Sequence, residues 1–170
     1  VPAARGSHRC APRYAPGTVE EIIGTWELVE WTFSVAGRRS VHPWKGRAVG
    51  RLTYTADGMM WAALMDPDRE HVPTRTLSAA PAPIRAAVAA GYLTYTGHYT
   101  VQGDEVVHHV ELSLLPNWVG TDEVRRIAWI ANEDGTRDLV LSTVPTPTDG
   151  GRESVNRLRW RRLTWGAPRR

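Results

Sequence analysis

From residue 26 onward the chain alternates apolar and polar positions in short runs, each closed by a turn signal. Residues 26–35 are rich in Trp, Phe, Val and Thr and stop at Gly37. Residues 48–55 end at Asp57-Gly58, a pair suited to a tight hairpin, and residues 59–65 follow and stop at Asp66-Pro67. Residues 93–101 end at Gly103-Asp104, residues 105–115 at Pro116-Asn117, and residues 124–131 at the turn 132–135. Residues 139–143 run into the turn-rich stretch 145–151, and residues 154–163 complete the series. The pattern predicts eight strands joined mostly by short turns.

Two interruptions are helical in character. Thr18 followed by Val19, Glu20 and Glu21 predicts an N-cap with acidic residues in the first turn of a short helix that Gly24 ends. Residues 79–90 are alanine-rich, with Pro81 and Pro83 near the start and Gly91 after the end, and predict one helix inserted between the third and fourth strands. The expected fold is all-β: an eight-stranded antiparallel up-and-down barrel with a short N-terminal helix and one inserted helix. A barrel of about 8 strands has room inside for one small ligand. A two-sheet sandwich is the alternative that periodicity leaves open.

The domain is expected to span residues 18–165. Residues 1–17 read as an expression-vector remnant followed by a proline-containing arm, and residues 166–170 as a tail. No secretory signal is visible, and a cytoplasmic protein is expected. No apolar run approaches the ~18–20 residues of a membrane-spanning helix.

Charge changes the picture once its location is considered. The formal net charge is +3, and 20 of the 21 basic residues are arginine. Five of them, Arg5, Arg9, Arg13, Arg169 and Arg170, lie in the two tails, so the body keeps 16 basic residues against all 18 acidic ones. A nucleic-acid binder needs a basic face on its folded body, so no nucleic-acid partner is expected. The single cysteine, Cys10, excludes an internal disulfide framework and a cysteine-based zinc site.

Gly24-Thr25-Trp26 at the head of the first strand and Leu158-Arg159-Trp160-Arg161-Arg162 near the end resemble the lipocalin arrangement. There, a first-strand tryptophan packs across the closed end of the barrel under an arginine from the last strand. Leu158, Trp160 and Arg162 share a face, so Arg162 is the expected cover for Trp26. Three internal segments, 50–58, 97–101 and 108–126, resemble the bacterial and fungal lipocalin-like domain family. The resemblance spans roughly residues 20–165 and implies a small barrel with a ligand-sized interior. Barrels of this kind recur in natural-product pathways as cofactor-free cyclases or isomerases, but fold alone does not assign a reaction.

His108 and His109 are adjacent and must point to opposite faces of their strand. Val106, His108, Val110, Leu112 and Leu114 form the more apolar face, which predicts His108 inside and His109 outside beside Glu111. An inward His109–Glu111 couple is the alternative, with the carboxylate orienting the ring. Tyr95, Gly97 and Tyr99 alternate on one face, where Gly97 would leave room for a ligand; Tyr54 shares a face with Leu52. A phenol in an apolar cavity needs a hydrogen-bond partner and can hold a carbonyl or enolate oxygen. Simple aromatic packing explains the same residues. Arg125 alternates with Ile127 and Trp129, and if inward it requires a carboxylate or an anionic ligand; Arg126 takes its place if the register shifts. Asn117 and Trp118 sit in a loop where they can cap the mouth, or Asn117 can simply organise the turn. Trp61, with its neighbouring methionines, suits an irregular hydrophobic ligand or ordinary core.

The sequence reading therefore places His108, Tyr99 and Arg125 in catalytic roles and Tyr54, Trp61, Tyr95, Asn117, Trp118 and His109 in substrate binding, with no metal and no cofactor. The expected function is a cofactor-independent enzyme of polyketide-type biosynthesis that confines a hydrophobic intermediate and promotes cyclisation or isomerisation, cycloaddition included. A non-catalytic carrier of a lipophilic small molecule is the alternative, and a hydrolase or dehydratase with His108 as base is a third reading. A homodimer is compatible with the number of tryptophans.

Overall fold

The computed structural model describes residues 19–148 and 150–164. The expected arm at 1–17, the Thr18 cap and the tail at 166–170 lie outside the described residues. A one-turn helix α1 (Val19–Ile22) leads into β1 (Gly24–Val35), β2 (Val49–Tyr54) and β3 (Met59–Met65). Helix α2 (Ala82–Ala90) precedes β4 (Tyr92–Gln102), β5 (Glu105–Ser113), β6 (Asp122–Ala131) and β7 (Arg137–Thr143). The two-residue strand β8 (Thr146–Pro147) and β9 (Glu153–Arg162) complete the chain.

Each of β1–β6 pairs antiparallel with its successor, and β9 pairs with both β7 and β1. The sheet closes on itself as an eight-stranded up-and-down barrel, with β8 a short addition on β9. Closure removes the free edges that a sandwich would leave. The expected helix over 79–90 is split. A 3₁₀ turn occupies Leu77–Ala79, and Ala80 is extended (ψ 148°) before Pro81, so α2 begins only at Ala82. A residue preceding proline is driven out of the helical region, which accounts for the break.

The core follows the two-residue period. Leu52 and Tyr54, Met60, Ala62 and Leu64, and Leu139 and Leu141 all point inward and are buried. At the closed end Trp26 donates its indole N–H to the Ile22 carbonyl at 2.8 Å. The Arg162 guanidinium lies 4.2 Å from the Trp26 ring centre and donates to the carbonyls of Ile23 and Glu21. Gly24 sits at φ 136°, and a Cβ there would lie 2.4 Å from Arg162 Nη1. Glycine therefore suits the backbone angle, and any side chain would have to displace the Arg162 guanidinium.

Alternation fails where strands bulge. The β4–β5 register slips between Thr96–Leu112 and Gly97–Val110, which leaves Glu111 as the extra residue. Beyond the bulge the face is reversed, and Leu112 and Leu114, expected inside with His108, are 68% and 44% exposed. Gly97 belongs to the same feature. A Cβ there would sit 1.9 Å from the His109 carbonyl oxygen, so the missing side chain accommodates the β5 backbone and not a ligand.

Candidate functional site

The open half of the barrel encloses a cavity of about 320 Å³. Leu52, Ala62, Leu64, Leu141 and Leu158 supply aliphatic wall, and Trp31, Trp118 and Trp160 supply aromatic wall. Tyr95, His108, Glu123 and Arg125 bring polar groups to one side. The volume falls in the range of small-molecule sites, as does the combination of apolar lining with a few convergent polar groups. Larger depressions of about 520 Å³ beside the Pro43–Gly46 turn and 470 Å³ beside α2 are more open grooves without that convergence.

His108 is the centre of the polar side. β5 places it inward between Val106 and Val110, and it is 1% exposed. Tyr54 Oη lies 2.7 Å from its Nε2, and Tyr95 Oη lies 3.0 Å from its Nδ1. Both ring nitrogens are thus occupied by phenols, one from β2 and one from β4. Burial, reinforced by the nearby Arg125 charge and by His109, pushes the His108 pKa well below its ordinary value, so the ring is neutral at pH 7. Burial also raises both phenols, Tyr54 the more strongly, and the Arg125 charge only partly opposes this. The three groups form an uncharged hydrogen-bonded row: phenol, imidazole, phenol.

Arg125 carries the positive charge of the site. It is 8% exposed and donates to Glu123 Oε2 at 3.0 Å and to the Val124 carbonyl at 2.9 Å. A buried arginine needs such a partner, and Glu123 supplies it within the same strand. Trp118 packs edge-on against Tyr95 with ring centres 5.4 Å apart, and Trp31 donates to Asn156 Oδ1 at 2.8 Å.

A family model of the lipocalin-like domain matches residues 23–163, most of the chain. The chain belongs to the lipocalin-like domain family. This lipocalin-like protein is also 36% identical over 80 residues to a 4'-hydroxy-3'-methoxypropiophenone carrier protein of Aspergillus oryzae, a match covering 42% of this chain and 68% of that protein.

Within the lipocalin-like barrel, four of the residues singled out from the sequence meet at the cavity: His108, Tyr95, Arg125 and Trp118. Tyr54 stands behind them as the far partner of His108. Tyr99 packs edge-on against Tyr54 at 4.8 Å and donates to the Thr55 carbonyl at 2.9 Å, away from the cavity wall. Trp61 is half exposed on the outer face of β3. Asn117 is exposed in the 3₁₀ turn Pro116–Trp118. His109 also faces outward, 2.7 Å from Asp122 and 3.0 Å from Thr100, while Glu111 pairs with His98 instead. No inward His109–Glu111 couple forms.

Glu123, Thr143, Asn156 and Trp160 line the cavity and escaped the sequence reading. Glu123 had a usable signal, two positions before Arg125 on the same strand face. Asn156 and Thr143 had none, because they reach the site only through the pairing of β7 with β9. Among the described residues, no three His, Cys, Asp or Glu side chains group as metal ligands, and no helix is long and apolar enough to cross a membrane.

Proposed function

We propose that this protein holds a small, mostly apolar, oxygen-bearing aromatic molecule inside its barrel and carries it within secondary metabolism. The observation that supports this reading is the engagement of the two groups best suited to act as a base, His108 and Glu123. Both nitrogens of His108 are taken by tyrosines, and Glu123 is taken by Arg125. A general base needs a free lone pair within reach of the proton it removes, and a nucleophile needs an activating base beside it. The arrangement supports retention of a ligand more than its conversion. The relative named as a propiophenone carrier supports the same class of cargo.

A second reading has one observation in its favour. The row Tyr54–His108–Tyr95 ends at the cavity, and a phenol backed by an imidazole can stabilise an enol-like transition state. Cofactor-free isomerisation or cyclisation of a ketone-bearing intermediate would use Tyr95 in that role.

Native mass spectrometry of the protein purified from its producing organism, with identification of the released molecule, tests the proposal. A single aromatic species returned unchanged after long incubation is the expected result. A released molecule that is a cyclised or isomerised form of an added precursor would establish the catalytic reading instead.

A further inference from the structure

Hydrogen-bond direction around His108 follows from counting hydrogens. A neutral imidazole has one N–H and one bare nitrogen. The Tyr54 hydroxyl is buried and has one hydrogen-bond partner among the described residues, His108 Nε2. If Nε2 carried the hydrogen, the Tyr54 O–H would be buried with nothing to accept it, which buried hydroxyls avoid. Tyr54 must then donate to a bare Nε2, and the ring hydrogen sits on Nδ1 and points to Tyr95 Oη, 3.0 Å away. The Tyr95 oxygen is already an acceptor, so its own hydrogen is free to turn into the cavity that Tyr95 lines.

Trp160 lines the same cavity with its ring, while its indole N–H is buried beneath the accessible surface. The carboxylate there, Glu123, already receives Arg125. The wall therefore offers the Tyr95 hydroxyl as a donor beside a carboxylate already paired with Arg125. Its charges also cancel: Arg125 and Glu123 form one ion pair and the remaining groups are neutral. An anionic ligand would have to break that pair or enter without a counter-charge, which a buried site disfavours.

We infer that the barrel selects a neutral carbonyl oxygen on an aromatic skeleton, with the Tyr95 hydroxyl as the specificity-determining donor. The inference rests on the ligand-holding reading above and adds which functional group the site recognises. A ketone or quinone fits, whereas a carboxylate of the same size does not.

Three probes separate the possibilities: 2-propionylnaphthalene, its carbonyl-free analogue 2-propylnaphthalene, and 2-naphthoate, each titrated by calorimetry. The ketone should bind roughly tenfold more tightly than the other two, the size of one net hydrogen bond. Tyr95→Phe should erase that preference, read as the ratio of ketone to hydrocarbon affinity within the variant, since the donor to the carbonyl is lost. Equal wild-type affinity for ketone and hydrocarbon overturns the carbonyl inference and leaves ligand holding intact. Failure of all three to bind overturns both. Nitrogen-15 NMR of His108 gives an answer that does not depend on the variant folding. A protonated Nδ1 and bare Nε2 are expected, and the reverse tautomer overturns the donor assignment.

Discussion

Arg162 reaches across the seam between the last and first strands to cover Trp26, 4.2 Å from its ring centre, and binds the backbone of the helix that precedes it. The Trp26 indole N–H returns to the same helix through Ile22. Sequence positions more than 130 residues apart are thereby joined at the point where the barrel closes.

Replacing Arg162 by Ala is expected to lower stability by about 1–3 kcal/mol, from a cation–π contact and two partly exposed charged hydrogen bonds. Arg162→Lys should recover little, because an ammonium cannot span two carbonyls while covering a ring. Urea denaturation measures both. Ligand affinity of the folded fraction should be unchanged, since Arg162 does not line the cavity.

Gly97→Ala is expected to be far more damaging than its chemistry suggests. The new methyl would be placed 1.9 Å from the His109 carbonyl oxygen, a backbone atom of a bulge that has no freedom to retreat. A loss of more than about 3 kcal/mol is expected, or failure to fold. Gly50→Ala, whose nearest contacts would be 3.1–3.3 Å, should cost less. Thermal unfolding of the two variants side by side is the check.

The contrast between Gly97 and Arg162 also explains what the sequence could convey. Strand positions, inward His108 and the Trp26 cover were legible, because a two-residue period in each strand carries them. Leu112 and Leu114 were not, because one extra residue at Glu111 reverses every later side chain, and nothing local announces it. Trp61 and Asn117 attract attention by residue type, yet both are exposed and lie outside the cavity lining. Asn156 and Thr143 enter the cavity through a pairing of β9 with β7, a long-range choice that no local window contains.

His108 links the site to pH. Its pKa is lowered in the folded protein, so the folded state binds fewer protons than the unfolded chain once pH falls below the unfolded value of about 6.5. The stabilising contribution of the neutral ring is complete above that pH and is lost progressively as pH falls toward the folded value. The slope can reach about 1.4 kcal/mol per pH unit for one proton. His108→Gln removes the titrating group and should flatten stability between pH 7 and pH 5, even if it lowers stability at pH 7. Denaturant midpoints measured across that range decide the matter; an unchanged slope in the variant would assign it to other groups.

Ala62 gives the sharpest test of where the ligand sits. It is 2% exposed, lies opposite Tyr95 in the β3–β4 register, and lines the cavity with its methyl. A larger side chain there grows toward the cavity past closely packed neighbours, so Ala62→Phe should fold with a loss of about 1–3 kcal/mol. Its ring would occupy the volume beside Tyr95 that the ligand needs, and affinity should fall by well over tenfold, the scale of about 1.4 kcal/mol. One residue earlier, Trp61 points to the outer face, so Trp61→Ala should leave affinity unchanged despite removing the larger aromatic group. Fluorescence titration of both variants with one aromatic ketone separates interior from exterior binding. Loss of affinity in Trp61→Ala together with full binding in Ala62→Phe would move the ligand out of the barrel.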